Sequence, residues 1–407
     1  MKTTFIFKKW IEMSLVLRIL IGLILGTILG LVAPQWDGIS ILGIVFVSAL
    51  KAIAPILVAV LVAASIAKAS SNLGTRFRVV ISQYMLSTFL AAMCAVVGSF
   101  LFPVTLQLNK TIEGGRPHGL TDIFSELLTN MVTNPMMSIS QANYIGILFW
   151  AILIGFALKL KGSKQTLGII HDFSEVITLT VKWVIQFAPF GIMGLVFDSV
   201  SKSGLDVFTN YGHLILLLIG CMLVNTLIFN PLISFLVLRR NPYPLLFTCL
   251  KESGLQAFFT RSSAANIPIN MNLCKKLGLE EDFYSVSIPL GATINMNGAA
   301  VTITVMTLAV THTLGIDVSF SSALFLSIIT TLGACGSSGV AGGSLLLIPM
   351  ACSFFNIDSD IAMQAVAVGF IIGVIQDSME TAVNSSGDVF FTATADYYAK
   401  KKQLHIK

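Results

Sequence analysis

Long stretches without a single charged residue are the feature that most constrains how this chain folds. Five such stretches cover residues 79–109, 127–158, 207–238, 283–316 and 318–357. A helix that crosses the hydrocarbon core of a bilayer needs about 20 mostly apolar residues. Transmembrane barrels instead show strands of about ten residues with alternating apolar side chains, and this sequence has no such period. The stretches therefore predict an all-α polytopic membrane protein.

The composition excludes several other classes of protein. Charged residues make up 11% of the 407 residues, whereas soluble domains carry about 25%. This disfavours soluble enzymes and disordered proteins. The net charge is only +5 and the basic residues form small, separated clusters, so we expect no nucleic-acid partner. The six cysteines show no CxxC pair and no metal-ligand spacing.

The positions of the basic residues predict the orientation of the chain. If the N-terminus lies inside the cell, most of the 25 lysines and arginines fall in segments that are also inside. Only Lys110, Arg116 and Lys202 fall in outside segments. Basic residues favour the cytoplasmic side of a membrane. We therefore predict that both termini are cytoplasmic and that the number of crossings is even.

The chain divides into two unlike parts. Residues 1–240 predict plain helices at about 14–34, 39–67, 78–102, 140–160, 170–200 and 212–238. Residues 241–407 predict hairpin 1 (245–276), a broken helix 7 (283–314), hairpin 2 (318–356), helix 8 (359–396) and a basic tail. In the first helix, the four-residue spacing of Gly22, Gly26 and Gly30 predicts close packing against another helix.

Both hairpins are expected to be re-entrant, because their arms are too short for two full crossings. Their tips, residues 260–268 and 333–344, are rich in small and polar residues. One hairpin would begin inside and the other outside, which makes an inverted repeat, and transporters bind their substrates at the interface of such repeats. Irregular backbone at membrane depth is tolerated only inside protein or beside a wet cavity. Both tips should therefore face a polar site.

The last helix carries a stripe of polar residues. Asp377, Glu380, Thr381, Asn384 and Asp388 fall within an arc of about 100° at about 100° per residue. An intramembrane carboxylate costs at least about 2.5 kcal/mol, so the three acids need cations nearby. Internal ion pairing is the alternative explanation, but the only basic residue close in the pattern is Arg261, which cannot neutralise three acids. The stripe favours a site for cations from outside the protein.

The chemistry of the available ligands indicates which solutes bind. Asn295, Asn384 and Asp388, with the backbone around Gly291 and Gly298, offer oxygen atoms that suit Na⁺. A proton relay through Asp377 or Glu380 is the alternative.

The serine pairs of the two tips offer complementary chemistry. Ser262–Ser263 and Ser337–Ser338 lie at the ends of half-helices, where free N–H groups favour an anion such as a carboxylate. A site with carboxylates for a cation and N–H groups for an anion fits a zwitterion, which means an amino acid.

Four motifs together resemble the dicarboxylate/amino acid:cation symporters. They are Thr-Arg-Ser-Ser at 260–263, Pro-Leu-Gly-Ala-Thr-Ile-Asn-Met at 289–296, Gly-Ser-Ser-Gly-Val at 336–340, and Asp377…Thr381…Asn384…Gly387-Asp388. The resemblance implies a glutamate-transporter-like fold of eight transmembrane helices and two re-entrant hairpins. It also implies a homotrimer in the bacterial cytoplasmic (inner) membrane, surrounded by lipid. The part after residue 240 would slide as a transport core against a trimerisation scaffold in the earlier part.

The resemblance also implies roles for individual residues. Asp377 would receive the substrate's ammonium group. The substrate site would comprise Arg261, Ser262, Ser263, Val340, Asp377, Glu380, Thr381 and Asn384. One sodium ion would lie among Gly291, Asn295, Asn384 and Asp388. A second would lie near Thr293, Met296 and Ser337.

Three departures from the family's pattern refine the expected substrate. Glu380 stands where carriers of acidic substrates resemble one another in having Arg, and Ala299 replaces a Thr. A glutamate would repel an acidic side chain. Asn297 replaces an Asp of a third sodium site that would also use Tyr84, Ser87 and Thr88, so we expect one or two sodium ions per substrate.

The expected function is therefore sodium-coupled secondary transport of small neutral hydroxy amino acids, serine and threonine, with no organic cofactor. A proton-coupled or acidic-substrate symporter of the same fold is the alternative. An ion channel is disfavoured because no filter repeat is present. An intramembrane hydrolase would need a histidine within reach of the serines at 337–338.

Overall fold

The computed structural model describes residues 13–68, 75–108, 129, 131–335, 337 and 342–404. Within these ranges the regular structure is helical and contains no strand. The prediction of an all-helical chain is confirmed for this part of the protein. Among the described residues, six helices are long and apolar enough to cross a membrane, and there are seven such spans if one bent pair of helices is counted as a single span.

The helices of the first 240 residues follow in chain order. They are α1 (Leu15–Val32), α2 (Ser40–Lys68), α3 (Thr75–Leu101), α4 (Pro135–Ser140), α5 (Tyr144–Lys161), α6 (Lys164–Gln186), α7 (Ala188–Ser203), α8 (Asp206–Val224) and α9 (Asn230–Leu238). A short 3₁₀ turn, Asp37–Ile39, precedes α2, and one π-helical turn, Asn225–Phe229, joins α8 to α9.

The later helices are shorter and more often interrupted. They are α10 (Tyr243–Cys249), a π turn (Leu250–Gly254), α11 (Leu255–Thr260), α12 (Ser263–Lys276), α13 (Glu281–Ile294), α14 (Asn297–Thr313), α15 (Phe320–Ala334), a 3₁₀ turn (Leu345–Leu347), α16 (Ile348–Ser353) and α17 (Ser359–Leu404). The longest of these is α17, with 46 residues.

One predicted helix is divided in two. The segment 170–200 lies in α6 and α7, whose axes differ by 52°. Pro189 is in the first turn of α7, where its missing N–H is tolerated, but within a continuous helix it would remove a hydrogen bond and clash with the preceding turn. The bend therefore falls at Phe187, between the two helices.

The glycine spacing of α1 has the predicted consequence. A Cβ atom on Gly22 would lie 2.1 Å from the carbonyl oxygen of Pro189, and one on Gly26 would lie 2.4 Å from that of Met193. The absence of side chains lets α1 and α7 approach backbone to backbone. Helix α2 packs in turn on α5, α6 and α7, so these helices form one packed group.

A second group of helices surrounds α14 and α17. Every residue of α14 from Asn297 to Thr311 is buried, which requires protein on all its sides. Helices α3, α8, α15, α16 and α17 supply these neighbours. Although α3 and α8 precede residue 240, both pack against α14 and α17. The chain breaks between α11 and α12, and between α13 and α14, also lie against α17.

Candidate functional site

The polar stripe of α17 lies in the interior of the protein. Asp377, Glu380, Thr381, Asn384 and Asp388 are each at most 6% exposed. Burying an ion or a polar group at this depth raises the free energy of the folded protein unless the group is paired or hydrogen-bonded. The partners of these side chains therefore indicate what the stripe can bind.

Asp377 joins two segments that are distant in sequence. The Nε of Arg261 donates to its Oδ2 over 2.7 Å, and the backbone N–H of Gly342 donates to its Oδ1 over 3.1 Å. The side chains of Arg261 and Asp377 are 9% and 4% exposed. Arg261 ends α11 in the left-handed conformation, with φ 52°. This turn directs its guanidinium towards α17 and away from the end of its own helix.

Arg261 and Asp377 also line a narrow crevice with Gly342 and Gly373. Its volume is about 10 Å³, which is close to the space that one water molecule needs. In this conformation the crevice is too small for a solute larger than water to lie beside Asp377.

Glu380 is held by hydrogen bonds instead of by a cation. Its Oε2 accepts from the Nε2 of Gln376 at 2.6 Å, the Oγ1 of Thr302 at 2.8 Å and the Oγ of Ser344 at 2.8 Å. No lysine or arginine in the described residues forms an ion pair with Glu380. The sequence reasoning missed these three partners, although the i, i+4 spacing of Gln376 and Glu380 on α17 was a readable signal.

Asn384 and Asp388 face the break between α13 and α14. The Nδ2 of Asn295 donates to the Oδ1 of Asp388 at 2.9 Å and to the carbonyl oxygen of Asn384 at 3.0 Å. The N–H of Gly298, in the first turn of α14, donates to the Oδ1 of Asn384 at 2.7 Å. The break thus frees the N–H of Gly298, and the side chain of Asn384 on α17 accepts from it.

Side-chain oxygens of Asn295 and Asp388 at this break have no hydrogen-bond partner among the residues that the structure describes. They are the Oδ1 of Asn295 and the Oδ2 of Asp388, and both are buried. A buried oxygen without a hydrogen-bond partner destabilises the folded protein. Carboxylate and amide oxygens coordinate hard cations. Gly291 lies beside them, because a Cβ there would be 2.7 Å from the Oδ1 of Asp388. These residues fit a sodium ion.

The residues of the expected second sodium site are less closely organised. Met296 is buried and its Sδ is 3.4 Å from the Nδ2 of Asn384. The Oγ1 of Thr293 donates to Leu290, and the N–H of Ser337 donates to Ala334. In the part of the chain that the structure describes, Thr293, Met296 and Ser337 share no hydrogen bond with one another.

Of the residues expected at a third sodium site, Ser87 and Asn297 are hydrogen-bonded to each other, and two further asparagines join them. The Oγ of Ser87 donates to the Oδ1 of Asn230 at 2.6 Å and accepts from the Nδ2 of Asn297 at 3.1 Å. Asn225 contacts both Ser87 and Asn230 at 3.4 Å. The π turn places Asn225 and Asn230, five residues apart, on one face, a juxtaposition that the helical period of the sequence does not reveal.

The remaining residues of this site point elsewhere. The hydroxyl of Tyr84 donates to the carbonyl oxygen of Asp388 at 3.1 Å, and the Oγ1 of Thr88 donates to Tyr84 of its own helix.

The expected substrate residues near the hairpin tips are placed as follows. Ser262 caps α12 through a hydrogen bond that its Oγ accepts from Ala265, and Ser263 is buried in the first turn. The Oγ1 of Thr381 donates to the carbonyl oxygen of Asp377. Val340 lies outside the described residues.

Comparisons with known proteins identify the family. The model of the sodium:dicarboxylate symporter family matches residues 15–398. The serine/threonine transporter SstT of Bifidobacterium adolescentis is 57% identical over 391 residues, which cover 96% of this chain and 91% of that protein. The serine/threonine transporter SstT of Streptococcus thermophilus is 52% identical over 395 residues, which cover 97% and 98%. The prediction of a transporter and not an enzyme is thereby confirmed, and the chain belongs to the sodium:dicarboxylate symporter family.

Proposed function

We propose that this protein imports serine and threonine together with sodium ions across the bacterial cytoplasmic membrane. The observation that carries the proposal is the position of Asp377, a buried carboxylate that contacts both hairpin segments, one turn before a second buried acid, Glu380. A carboxylate binds an ammonium group, and a second carboxylate repels an acidic side chain. The names and the high identity of the relatives support the same substrates.

The substrate would bind between the two hairpins and α17. Its ammonium group would take the place of the Arg261 guanidinium at Asp377, and Arg261 would then be free to bind the substrate carboxylate. Ser262, Ser263, Val340, Thr381 and Asn384 would complete the site. This exchange explains why the ion pair is buried. Without substrate, Arg261 and Asp377 neutralise each other; with substrate, Asp377 would pair with its ammonium group and Arg261 with its carboxylate.

Glu380 would select against acidic substrates. Thr302, Ser344 and Gln376 all donate to its Oε2, and a carboxylate has about four acceptor positions. Its Oε1 can therefore accept the hydroxyl of serine or threonine while Oε2 stays fixed.

One sodium ion would bind at the break between α13 and α14. The unpaired oxygens of Asn295 and Asp388 support this site, and Gly291 and Asn384 would contribute backbone or amide oxygens. A second ion would bind near Thr293, Met296 and Ser337. Because Asn297 brings no charge to Ser87, we infer that one or two ions accompany each substrate molecule.

The architecture would comprise eight crossing helices and two re-entrant hairpins. Six span candidates and the bent pair α6–α7 support seven of these crossings, and the shorter apolar helix α1 would be the eighth. The segments α10–α12 and α15–α16 would form the hairpins. The group of α1, α2 and α5–α7 would act as the scaffold of a homotrimer. The segment 241–407 would move with α3, α8 and α9 as an elevator, with both termini in the cytoplasm.

Uptake by proteoliposomes tests the proposal. We expect labelled serine to accumulate with an inward sodium gradient but not with a proton gradient or with neither, and excess aspartate to compete poorly. Uptake driven by protons alone would show a proton-coupled carrier. Competition by aspartate as strong as that by unlabelled serine would show an acidic-substrate carrier, and flux that neither saturates nor accumulates would show a channel.

A further inference from the structure

Two cysteines face each other across the contact between α3 and α8. The Sγ of Cys94 lies 3.8 Å from the carbonyl oxygen of Cys221, and the Sγ of Cys221 lies 3.7 Å from the carbonyl oxygen of Cys94. Each thiol therefore reaches the backbone that carries the other. Both are free cysteines, separated by 127 residues in the sequence.

The same two cysteines line an apolar pocket of about 850 Å³. Its walls are the second half of α3 and the facing part of α8, with Pro103–Thr105 at one end. The exposed lining is mostly apolar, and His213 is its one basic residue. The pocket lies within two of the membrane-span candidates, so a neutral apolar reagent is better suited to enter it than a charged one.

Two glycines leave space around the thiol of Cys221. A Cβ on Gly98 would lie 2.6 Å from the Sγ of Cys221, so any side chain there would displace this thiol. A Cβ on Gly220 would meet no atom within 4 Å, which shows open space beside Cys221.

We propose that Cys94 and Cys221 form a dithiol site that binds a trivalent organic arsenical. Each thiol forms one arsenic–sulfur bond; for an aryl arsenoxide, the two thiol protons and the arsenoxide oxygen leave as one water molecule, and no electrons are transferred. Metal sites in proteins normally require three or four side-chain ligands, but an aryl arsenical needs only two thiols. Its aryl group fits the apolar pocket. The proposal is independent of which solute is transported.

Phenylarsine oxide and intact-mass measurement test the site on the full chain in membranes or detergent. We expect the wild-type chain to bind one phenylarsenic group, so that two of its six thiols no longer react when the thiols are titrated after denaturation, and 2,3-dimercaptopropanol to reverse both changes. Cys94→Ser and Cys221→Ser should each abolish the bridged adduct. Cys335→Ser is the matched control, since Cys335 is also partly exposed, and should retain it.

Gly98→Ala provides a second test that keeps all the cysteines. Its Cβ should displace the Cys221 thiol and slow formation of the adduct, whereas Gly220→Ala should not. The proposal is overturned if the folded wild-type chain binds no arsenical under conditions in which the unfolded chain does. Retention of the bridged adduct by Cys94→Ser or Cys221→Ser would overturn it equally.

Discussion

Gly291→Ala perturbs the proposed sodium site by a single methyl group. Gly291 lies in α13, one turn before the break at Asn295. The added Cβ would lie 2.7 Å from the Oδ1 of Asp388 and 2.8 Å from the hydroxyl of Tyr84. Real Cβ atoms essentially never approach another atom closer than 3.0 Å. Both the carboxylate of Asp388 and the hydroxyl of Tyr84 must therefore move.

The energetic cost can be bounded from known overpacked sites. Inserting a methyl group into a well-packed interior costs about 1–3 kcal/mol. If this cost falls on the sodium-bound state, in which the position of Asp388 matters most, the affinity for sodium decreases by about 5–150-fold. The half-saturating sodium concentration for serine uptake should rise by the same factor.

A sodium titration of labelled serine uptake in proteoliposomes measures this shift. Gly212→Ala is the matched control, because Gly212 also lies within a helix and a Cβ there would meet no atom within 4 Å. It should leave the sodium dependence unchanged, because its methyl group contacts no neighbour. It should not weaken the helix either, since alanine favours a helix by about 1 kcal/mol over glycine. An unchanged half-saturating concentration in correctly folded Gly291→Ala protein would refute a sodium site at Asp388.

Three further substitutions probe the rest of the site. Asp377→Asn leaves the buried guanidinium of Arg261 unpaired, so uptake should be lost and thermal unfolding should report a destabilisation of about 3–5 kcal/mol. Adding Arg261→Met should restore the stability but not the uptake. A single Asp377→Asn variant as stable as the wild type would contradict this expectation. Glu380→Gln removes the repulsion of acidic side chains, so aspartate should inhibit serine uptake more strongly than in the wild type; unchanged inhibition would rule out an electrostatic role. Asn297→Asp places a carboxylate beside Ser87, and the ratio of sodium to serine flux should rise by one additional ion; an equal ratio would show that the missing charge does not set the stoichiometry.

Several elements of the fold were readable from local sequence. Charge-free apolar stretches predict membrane helices because burying apolar surface in a bilayer needs no partner. The glycine spacing of α1 correctly predicted a close helix contact, although not that α7 would supply it. The bend at Phe187 was missed, because its cause, Pro189, lies inside an otherwise continuous apolar period.

The candidate site was readable in part. The period of α17 predicted that Asp377 and Asp388 share one face, because helical geometry alone decides this. Their different environments were not predictable. Asp377 pairs with Arg261, 116 residues away, whereas Asp388 receives the amide of Asn295, 93 residues away. The π turn that brings Asn225 and Asn230 together leaves no periodic signal either.

Hydropathy and the geometry of single helices were enough to predict the class of the protein, the stripe on its last helix and the residue types of its polar breaks. They could not predict which carboxylate pairs with a cation, which accepts from hydroxyl and amide donors, and which retains an oxygen without a hydrogen-bond partner among the described residues. These differences depend on how the helices pack, because the free-energy cost of a buried charge is set by the groups within a few ångströms of it. In this chain those groups come from segments that only the packing of the helices brings together.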